Sequence, residues 1–306
     1  MKESPTPCGP PPVCGDIFCG LCDHAFWHNA APRENPGFRH GQVVFCKIDE
    51  VWRLFRALRR TRRRIVLVTG EGDKPVTPEL YSQKPPHVSH WFGMNMFAVA
   101  PDVTPIPLGL GAEGHPATLD WREIQEAISS SPPRTKLLYA NFGAASNPSV
   151  REPLATWVRR PSQNWMTVED HSQQSGRASY LQNLLSHHFV FCPPGNGEDT
   201  HRMWEALYCG AIPVVRESPV MRDFSDLPIL FVPRLDEISE NFLQDVLARW
   251  PKHEFSSAKL DVGYWRDRFT EAQTMASHRG SVTAAEWMHA WVGEAWRLVR
   301  EKAVGR

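Results

Sequence analysis

The sequence lacks the features that would assign it to a membrane, secreted or nucleic-acid-binding class. No apolar run approaches the about 20 residues that a membrane-spanning helix needs, and residues 1–14 contain no apolar signal-peptide core. Net charge is zero, with 34 basic and 34 acidic residues, so nothing in the balance favours nucleic acid as a partner. We therefore expect a globular protein located in the cytoplasm, or a domain of a larger protein.

Cysteine is odd in number and scattered, which argues against a disulfide framework. The chain has seven Cys, and four of them, Cys8, Cys14, Cys19 and Cys22, lie near the N-terminus. The last two have the spacing of a zinc knuckle, but the other gaps fit no common zinc pattern. We expect a proline-rich tail with reduced thiols that runs into a strand near residues 17–22. A zinc site is the alternative.

Apolar periodicity predicts a first α/β half. Val43–Lys47 and Ile65–Thr69 have the pattern of buried strands, and a helix with one apolar face begins at Asp49 between them. Strand, helix and strand in this order form a βαβ unit, which implies a parallel sheet. A Ser- and Pro-rich stretch at 129–134 predicts a linker. The length of 306 residues suffices for two such domains.

The second half repeats this pattern of strands and helices. The predicted strands are 136–142, 189–192 and 212–215, and the predicted helices are 149–159, 180–186 and 201–209. A last helix at 284–302, with three Trp, is expected to pack across both domains. The expected organisation is an acceptor-side domain at 1–133, a nucleotide-sugar domain at 134–283 and a bridging helix at 284–306.

The most informative segment is residues 189–215, where a buried strand ends in a Gly-containing loop and a helix begins at once. The N–H groups at a helix N-terminus lack intrahelical partners and suit a phosphate. Gly195 and Gly197 allow the backbone to approach a ligand closely, and Asp199 or Thr200 is expected to cap the helix. This loop therefore predicts a phosphate site.

Arg202 and Glu205 lie one turn apart on one face of this helix, whereas Met203, Trp204 and Leu207 face the core. An Arg near the helix start suits a diphosphate, and a carboxylate one turn deeper suits ribose hydroxyls. An ordinary surface ion pair is the alternative. The predicted donor-binding residues are Asn147, Arg151, Gly195, Asn196, Gly197, Asp199, Thr200, His201, Arg202 and Glu205.

This segment resembles the donor-binding region of exostosin-like glycosyltransferases and of the related ribitol xylosyltransferases. The matching residues are Pro194, Gly195, Arg202, Glu205, Ala206, Leu207, Gly210, Ile212, Pro213 and Val214. Weaker similarity at 90–95, 106–111 and 136–154 extends the resemblance over most of 43–235. It implies a GT-B fold, in which two Rossmann-like domains with parallel sheets face a central cleft. It also implies a nucleotide-sugar donor and inversion at the anomeric carbon.

The implied activity is transfer of a hexosyl or pentosyl group to a glycan or another hydroxyl acceptor, as in polysaccharide biosynthesis. Two other functions stay open at this point. A sugar-nucleotide epimerase of the same fold would bind the same donor without an acceptor, and a sugar-binding protein would retain the donor site without activity.

We expect no metal and no cofactor, with the nucleotide-sugar as a substrate. The chain has no Asp-x-Asp motif, and a helix dipole with Arg202 suits the departing diphosphate. An inverting transfer needs a general base. Asp73 follows a predicted parallel strand, where α/β sites form, and is the expected base. Glu71, His90 and His115 are the alternatives.

A basic segment with seven Arg runs from Arg53 to Arg64. Either a solvated helix face or peripheral contact with an anionic membrane explains this pattern. Peripheral membrane contact through this segment is therefore one of two expectations.

Overall fold

A computed structural model of the protein describes residues 12–26, 37–112, 118–129, 133–169 and 176–288. The chain forms two compact units. The first unit comprises Asp16–Ile106 and the described part of Trp265–Arg306, and the second comprises Pro107–Tyr264 and the described part of Met1–Gly15. The domain limits expected from the sequence, at 133 and 283, differ from these unit limits and stay a prediction.

The first unit contains a five-stranded parallel sheet. Its elements are α1 (Gly15–Gly20), β1 (His24–Phe26), β2 (Gln42–Lys47), α2 (Val51–Leu58), β3 (Ile65–Gly70), α3 (Pro78–Ser82), β4 (Val88–Gly93) and β5 (Val103–Pro105). The strand order is β1-β2-β3-β4-β5. Every residue of β3 is buried, as expected for a central strand with both faces covered. The buried side chains of α2, which include Leu54 and Leu58, form the predicted apolar face.

The second unit contains a separate parallel sheet. Its elements are α4 (Trp121–Ser129), β6 (Lys136–Ala140), α5 (Pro148–Val158), β7 (Met166–Val168), α6 (Arg177–Ser186), β8 (His187–Phe191), α7 (His201–Tyr208), β9 (Ile212–Arg216), β10 (Leu230–Val232) and α8 (Glu240–Arg249). The strand order is β10-β9-β8-β6-β7. Two separate five-stranded parallel sheets confirm the predicted α/β fold of two Rossmann-like halves. The loops that follow β6, β8 and β9 emerge at one edge of this sheet, because parallel strands end on the same side.

The strand expected near residues 17–22 is wrong, because α1 occupies Gly15–Gly20. The helix buries Phe18 completely, while Asp16 and Gly20 stay exposed. Phe18 packs edge-on against Trp265, with ring centroids 5.8 Å apart. Trp265 belongs to α9 (Val262–His278), a helix absent from the sequence-based prediction. The packing partner of α1 therefore lies in a distant part of the chain, which the local pattern at 17–22 does not indicate.

The predicted C-terminal helix is described only at its start, where residues 284–288 are helical. Trp287 donates its indole N–H to the carbonyl oxygen of Arg59 at 2.8 Å. Trp291 and Trp296 lie outside the described residues. None of the helices described is both long enough and apolar enough to cross a membrane.

Candidate functional site

The loop between β8 and α7 lies at the carboxyl edge of the second sheet. Thr200 is the N-cap of α7, but its side chain makes no capping hydrogen bond. The carboxylate of Asp199 is buried and accepts hydrogen bonds from the Trp204 indole N–H at 2.6 Å and the Leu108 N–H at 2.8 Å. Thr200 therefore occupies the predicted N-cap position without accepting a capping hydrogen bond, and the neighbouring Asp199 carboxylate makes tertiary contacts.

Gly195 turns the loop back on itself, since its N–H donates to the carbonyl oxygen of Gly197 at 2.9 Å. Its own carbonyl oxygen accepts from the Asn147 side-chain amide at 2.9 Å. A Cβ atom at position 195 would lie 3.1 Å from a terminal guanidinium nitrogen of Arg151. In this structure the missing side chain therefore makes room for Arg151. Asn196 is exposed on the same turn.

Arg151 joins the two loops that follow β6 and β8. It is 6% exposed, and its guanidinium donates to the carbonyl oxygens of Pro194 at 2.8 Å and Pro193 at 3.0 Å. It also donates to the carbonyl oxygen of Gly143 at 2.9 Å and to the hydroxyl of Ser146 at 2.7 Å. Arg151, which the sequence predicts to bind the donor, thus cross-links the two loops in this structure.

A second cation lies close to this one. Burial and, to a smaller extent, the charge of Arg202 lower the pKa of Arg151 to about 10, so that Arg151 stays cationic at neutral pH. Arg202 is half-buried, and its buried Nε has no hydrogen-bond partner in the described part of the chain. Two cations near one helix N-terminus repel each other, and a bound anion relieves that repulsion.

Glu205 is buried, with 3% exposure, so the surface ion pair considered for the sequence is wrong. One carboxylate oxygen accepts from the Leu119 N–H at 2.8 Å, and the other from the Tyr180 hydroxyl at 2.6 Å. Burial and the charge of Glu205 raise the pKa of Tyr180 well above its usual value, so its hydroxyl remains a donor. Glu205 therefore links α7 to α6 and to the segment before α4.

Most of the other side chains of α7 pack into the core, and His201 makes a tertiary contact. Met203, Trp204 and Leu207 are buried, which confirms their assignment to the core. Trp204 packs edge-on against Phe224, with ring centroids 5.3 Å apart. His201 uses its Nδ1 to contact the carbonyl oxygen of Gly109 at 2.8 Å.

Comparison with known protein families assigns the chain to one of them. The model of the Exostosin GT47 domain matches residues 32–228, more than half of the chain. The chain belongs to the exostosin GT47 family. It is therefore a glycosyltransferase. No curated protein sequence matches it.

Three solved structures are similar to this GT47 protein at low sequence identity. A glycosyltransferase from Rickettsia africae ESF-5 is 8% identical, with a TM-score of 0.41 and coverage of 76% of each chain. A trehalose 6-phosphate synthase from Burkholderia multivorans is 11% identical, with a TM-score of 0.40 and coverage of 79% of this chain and 73% of that one. Anabaena HepE, in complex with UDP, is 13% identical, with a TM-score of 0.34 and coverage of 83% and 78%.

The candidates for the general base of this GT47 protein lie in the first unit. Asp73 and Glu71 are exposed in the loop after β3, and Glu71 has a positive φ of 55°. His90 contacts the Thr104 hydroxyl through Nε2 at 2.8 Å, and burial lowers the pKa of His90 to about 4. His115 lies outside the described residues. The role of Asp73 stays a prediction.

The basic segment is not exposed throughout. Arg59 and Arg64 are each 8% exposed. The Nη2 atom of Arg64 donates to both carboxylate oxygens of Glu286 at 2.8 and 2.9 Å, and Arg53 pairs with Glu50 at 2.8 Å. The expectation of one continuous solvated or membrane-facing surface is therefore wrong for the buried members. The exposed ones are Arg56, Arg60, Arg62 and Arg63.

The N-terminal cysteines are divided between the two units. Cys14 forms a β-bridge with Leu110, whereas Cys19 and Cys22 lie in the first unit and Cys8 lies outside the described residues. Burial raises the pKa of both Cys19 and Cys22, so both are neutral thiols at neutral pH. Within the described ranges, no group of three or more His, Cys, Asp or Glu could hold a metal ion. The zinc alternative, which includes Cys8, is untested.

Proposed function

We propose that this glycosyltransferase binds the diphosphate of a nucleotide-sugar between the loop at 193–200 and the first turn of α7. The observation that carries the proposal is the guanidinium of Arg202, half-buried beside the cationic Arg151 and with an unpartnered Nε in the described part of the chain. A diphosphate supplies the negative charge that two neighbouring cations and a helix N-terminus favour.

The proposed reaction is a single displacement with inversion. The bond between the anomeric carbon and the diphosphate oxygen breaks, and an acceptor hydroxyl oxygen of a glycan bonds to that carbon from the opposite side. Asp73 takes the hydroxyl proton, since an exposed carboxylate after β3 is suited to a general base. Arg202 stabilises the charge that grows on the leaving diphosphate, and no metal is required for this step.

Glu205 is proposed to bind the ribose. A carboxylate has about four acceptor positions, and hydrogen bonds from Leu119 and Tyr180 use two of them. The remaining positions accept the ribose hydroxyls. Because both oxygens are already held, the carboxylate needs no reorientation when the donor binds.

Arg202→Ala and Arg202→Lys test the diphosphate site. Removing one preorganised donor to a developing charge typically lowers kcat by about 10²–10³-fold, and the Ala variant should show this with a smaller change in donor affinity. The Lys variant should recover only part of the loss, because a point charge does not reproduce the planar guanidinium. Arg122→Ala, an exposed Arg on α4, is the matched control.

Turnover is measured as release of the nucleoside diphosphate together with transfer of a labelled sugar to a hydroxyl acceptor. Near wild-type kcat and affinity for Arg202→Ala would remove the main support for this site. Conversion of the donor to its epimeric nucleotide-sugar without any transfer would instead identify an epimerase.

We also propose a cytoplasmic location with peripheral membrane contact through Arg56, Arg60, Arg62 and Arg63. Their exposure supports the proposal, because clustered cations bind anionic lipid surfaces. Co-sedimentation with vesicles containing phosphatidylserine should exceed that with phosphatidylcholine alone, and a variant with all four Arg replaced by Gln should lose the difference. Equal sedimentation of both proteins would reject the membrane contact.

A further inference from the structure

The carboxylate proposed to bind the ribose is held between two helices. Glu205 lies on α7 and its partner Tyr180 lies on α6, with 2.6 Å between the Tyr180 hydroxyl oxygen and a carboxylate oxygen of Glu205. A hydrogen bond of this length is kept only while the two helices keep their separation, because O–H···O contacts extend over about 2.5–3.0 Å. The position of α6 relative to α7 therefore affects the orientation of the Glu205 carboxylate.

A second link between the same helices lies one turn further along each of them. The guanidinium of Arg134 donates through Nη1 to the carbonyl oxygen of Leu184 at 2.6 Å, and through Nη2 to the carbonyl oxygen of Cys209. Leu184 follows Tyr180 by one turn of α6. Cys209, the C-cap of α7, follows Glu205 by one turn. Arg134 therefore bridges the two helices next to the contact between Tyr180 and Glu205.

The backbone on either side of this bridge is fixed by the sheet. The Thr135 N–H donates to the carbonyl oxygen of Ser186 at 3.1 Å, and Lys136, the first residue of β6, lies opposite His187, the first residue of β8. The Nη1 atom of Arg134 also donates to the carbonyl oxygen of His187 at 2.6 Å. The guanidinium thus joins the ends of both helices to a fixed point of the sheet.

The end of α7 leaves a carbonyl group available for this contact. Gly210 has a left-handed φ of 75°, and the Ala211 N–H donates to the carbonyl oxygen of Ala206 at 2.8 Å, as in a Schellman ending. The Cys209 carbonyl oxygen lies outside that pattern and accepts from Arg134 instead. A cation at the C-terminal ends of two helices is also favoured by their dipoles.

We propose that Arg134 is a positioning residue for the donor site. By bridging α6 and α7 it keeps the Tyr180 hydroxyl within hydrogen-bond distance of Glu205, and so keeps the carboxylate in the orientation that receives the ribose. A guanidinium suits this role, because its planar fork reaches separate acceptors in a fixed geometry whereas an ammonium is a single point charge. This inference rests on the proposed function, since it takes Glu205 to bind the ribose.

Arg134→Lys retains the charge and removes the fork. UDP, GDP and ADP are titrated calorimetrically into the wild type and the variant, with the 2′,3′-dideoxy analogue of the nucleotide that binds. The preference for the natural nucleotide over this analogue should fall by about two- to tenfold in the variant, the range for one hydrogen bond. Affinity for inorganic pyrophosphate, which has no ribose, should stay within about twofold, because distant sites without shared partners behave independently.

Tyr180→Phe tests the route of the effect. Alone it should lower the preference, and in the Arg134→Lys background it should lower it by a smaller factor, because residues that act through one contact are not additive. Leu243→Ala is the control for stability, since it truncates a buried side chain on α8 and should lower the melting temperature without changing the preference. Arg134→Met, which has no donor, is a second variant with the same expected loss, and melting temperatures verify that each variant folds.

Three outcomes would count against the positioning role. A wild-type preference in the folded Arg134 variants, or full additivity with Tyr180→Phe, would overturn it and leave the diphosphate site standing. An equal loss of preference in Leu243→Ala would also overturn it, because the preference would then follow general stability. Failure of every nucleoside diphosphate to bind the wild type would reject the proposed function, and the positioning role with it.

Discussion

Glu205 has two expected roles, and the Glu205→Ala variant tests both. Its hydrogen bonds stabilise the fold, and its carboxylate is proposed to bind the ribose. The change removes both acceptor oxygens and leaves the Leu119 N–H and the Tyr180 hydroxyl without their partner. An unsatisfied buried donor costs about 1–3 kcal/mol, so the two together predict a loss of about 2–6 kcal/mol in the free energy of unfolding. The melting temperature should fall by about 2–4 °C for each kcal/mol.

Glu205→Gln separates stability from binding. Its amide oxygen still accepts from the Leu119 N–H, and its NH₂ group donates to the Tyr180 oxygen. The Gln side chain therefore keeps a hydrogen bond to each of the two partners. The loss of unfolding free energy should therefore be much smaller than for Ala. Ribose binding should still weaken by about tenfold or more, because hydrogen bonds to a charged acceptor contribute about 1.5–3 kcal/mol.

The assay combines denaturant unfolding with affinity for a nucleoside diphosphate and for its 2′,3′-dideoxy analogue. The wild type should prefer the natural nucleotide, and Glu205→Gln should lose most of that preference. If Glu205→Ala unfolds at the wild-type midpoint, the link between α7, α6 and the segment before α4 is energetically unimportant. If Glu205→Gln keeps the full preference, the ribose role is refuted.

Three further predictions concern the core, pH and metal. Trp204→Ala should lower the free energy of unfolding by about 3–5 kcal/mol, since the indole is fully buried against Phe224, and denaturant titration checks this. Burial raises the pKa of Asp199 from 3.8 to about 7. The folded state therefore holds more protons than the unfolded state between these values, so the contribution of Asp199 should lower stability as pH rises from 3.8 to about 7. Asp199→Asn should flatten that slope in unfolding curves; an unchanged slope would contradict the assignment. Transfer activity should survive EDTA, and loss that manganese restores would show that the reaction uses a metal.

The sequence predicts most of the central strands, but it misses the central strand β4 and predicts the edge strands poorly. β2, β3, β8 and β9 lie in continuous apolar runs, because both faces of a parallel sheet are covered. β5, β7 and β10 have three residues each, too short for a periodic pattern to appear. The order of strands in each sheet is set by tertiary packing and has no local signal.

The candidate site shows the same division between local and distant information. Helical spacing predicts that Trp204 is buried and that Arg202 lies near the start of α7. It does not reveal that Glu205 is buried, because the donor Leu119 is 86 residues away in the chain. The contact between Asp199 and Leu108 likewise spans 91 residues. A charged residue with distant backbone partners has the same local pattern as one that faces a ligand.

Arg151 shows why these two roles are compatible. A guanidinium has five N–H donors, and the hydrogen bonds of Arg151 to three carbonyl oxygens and one hydroxyl use four of them. Those partners are neutral, so they orient the group without cancelling its charge. Arg151 therefore contributes positive charge to the loop while its hydrogen bonds hold the loop in place. Arg202, with a buried Nε that has no partner within the described residues, is the cation suited to contact the diphosphate. Substitution of Arg151 would disturb the loop itself, which makes Arg202 the position where the function of the site is tested most cleanly.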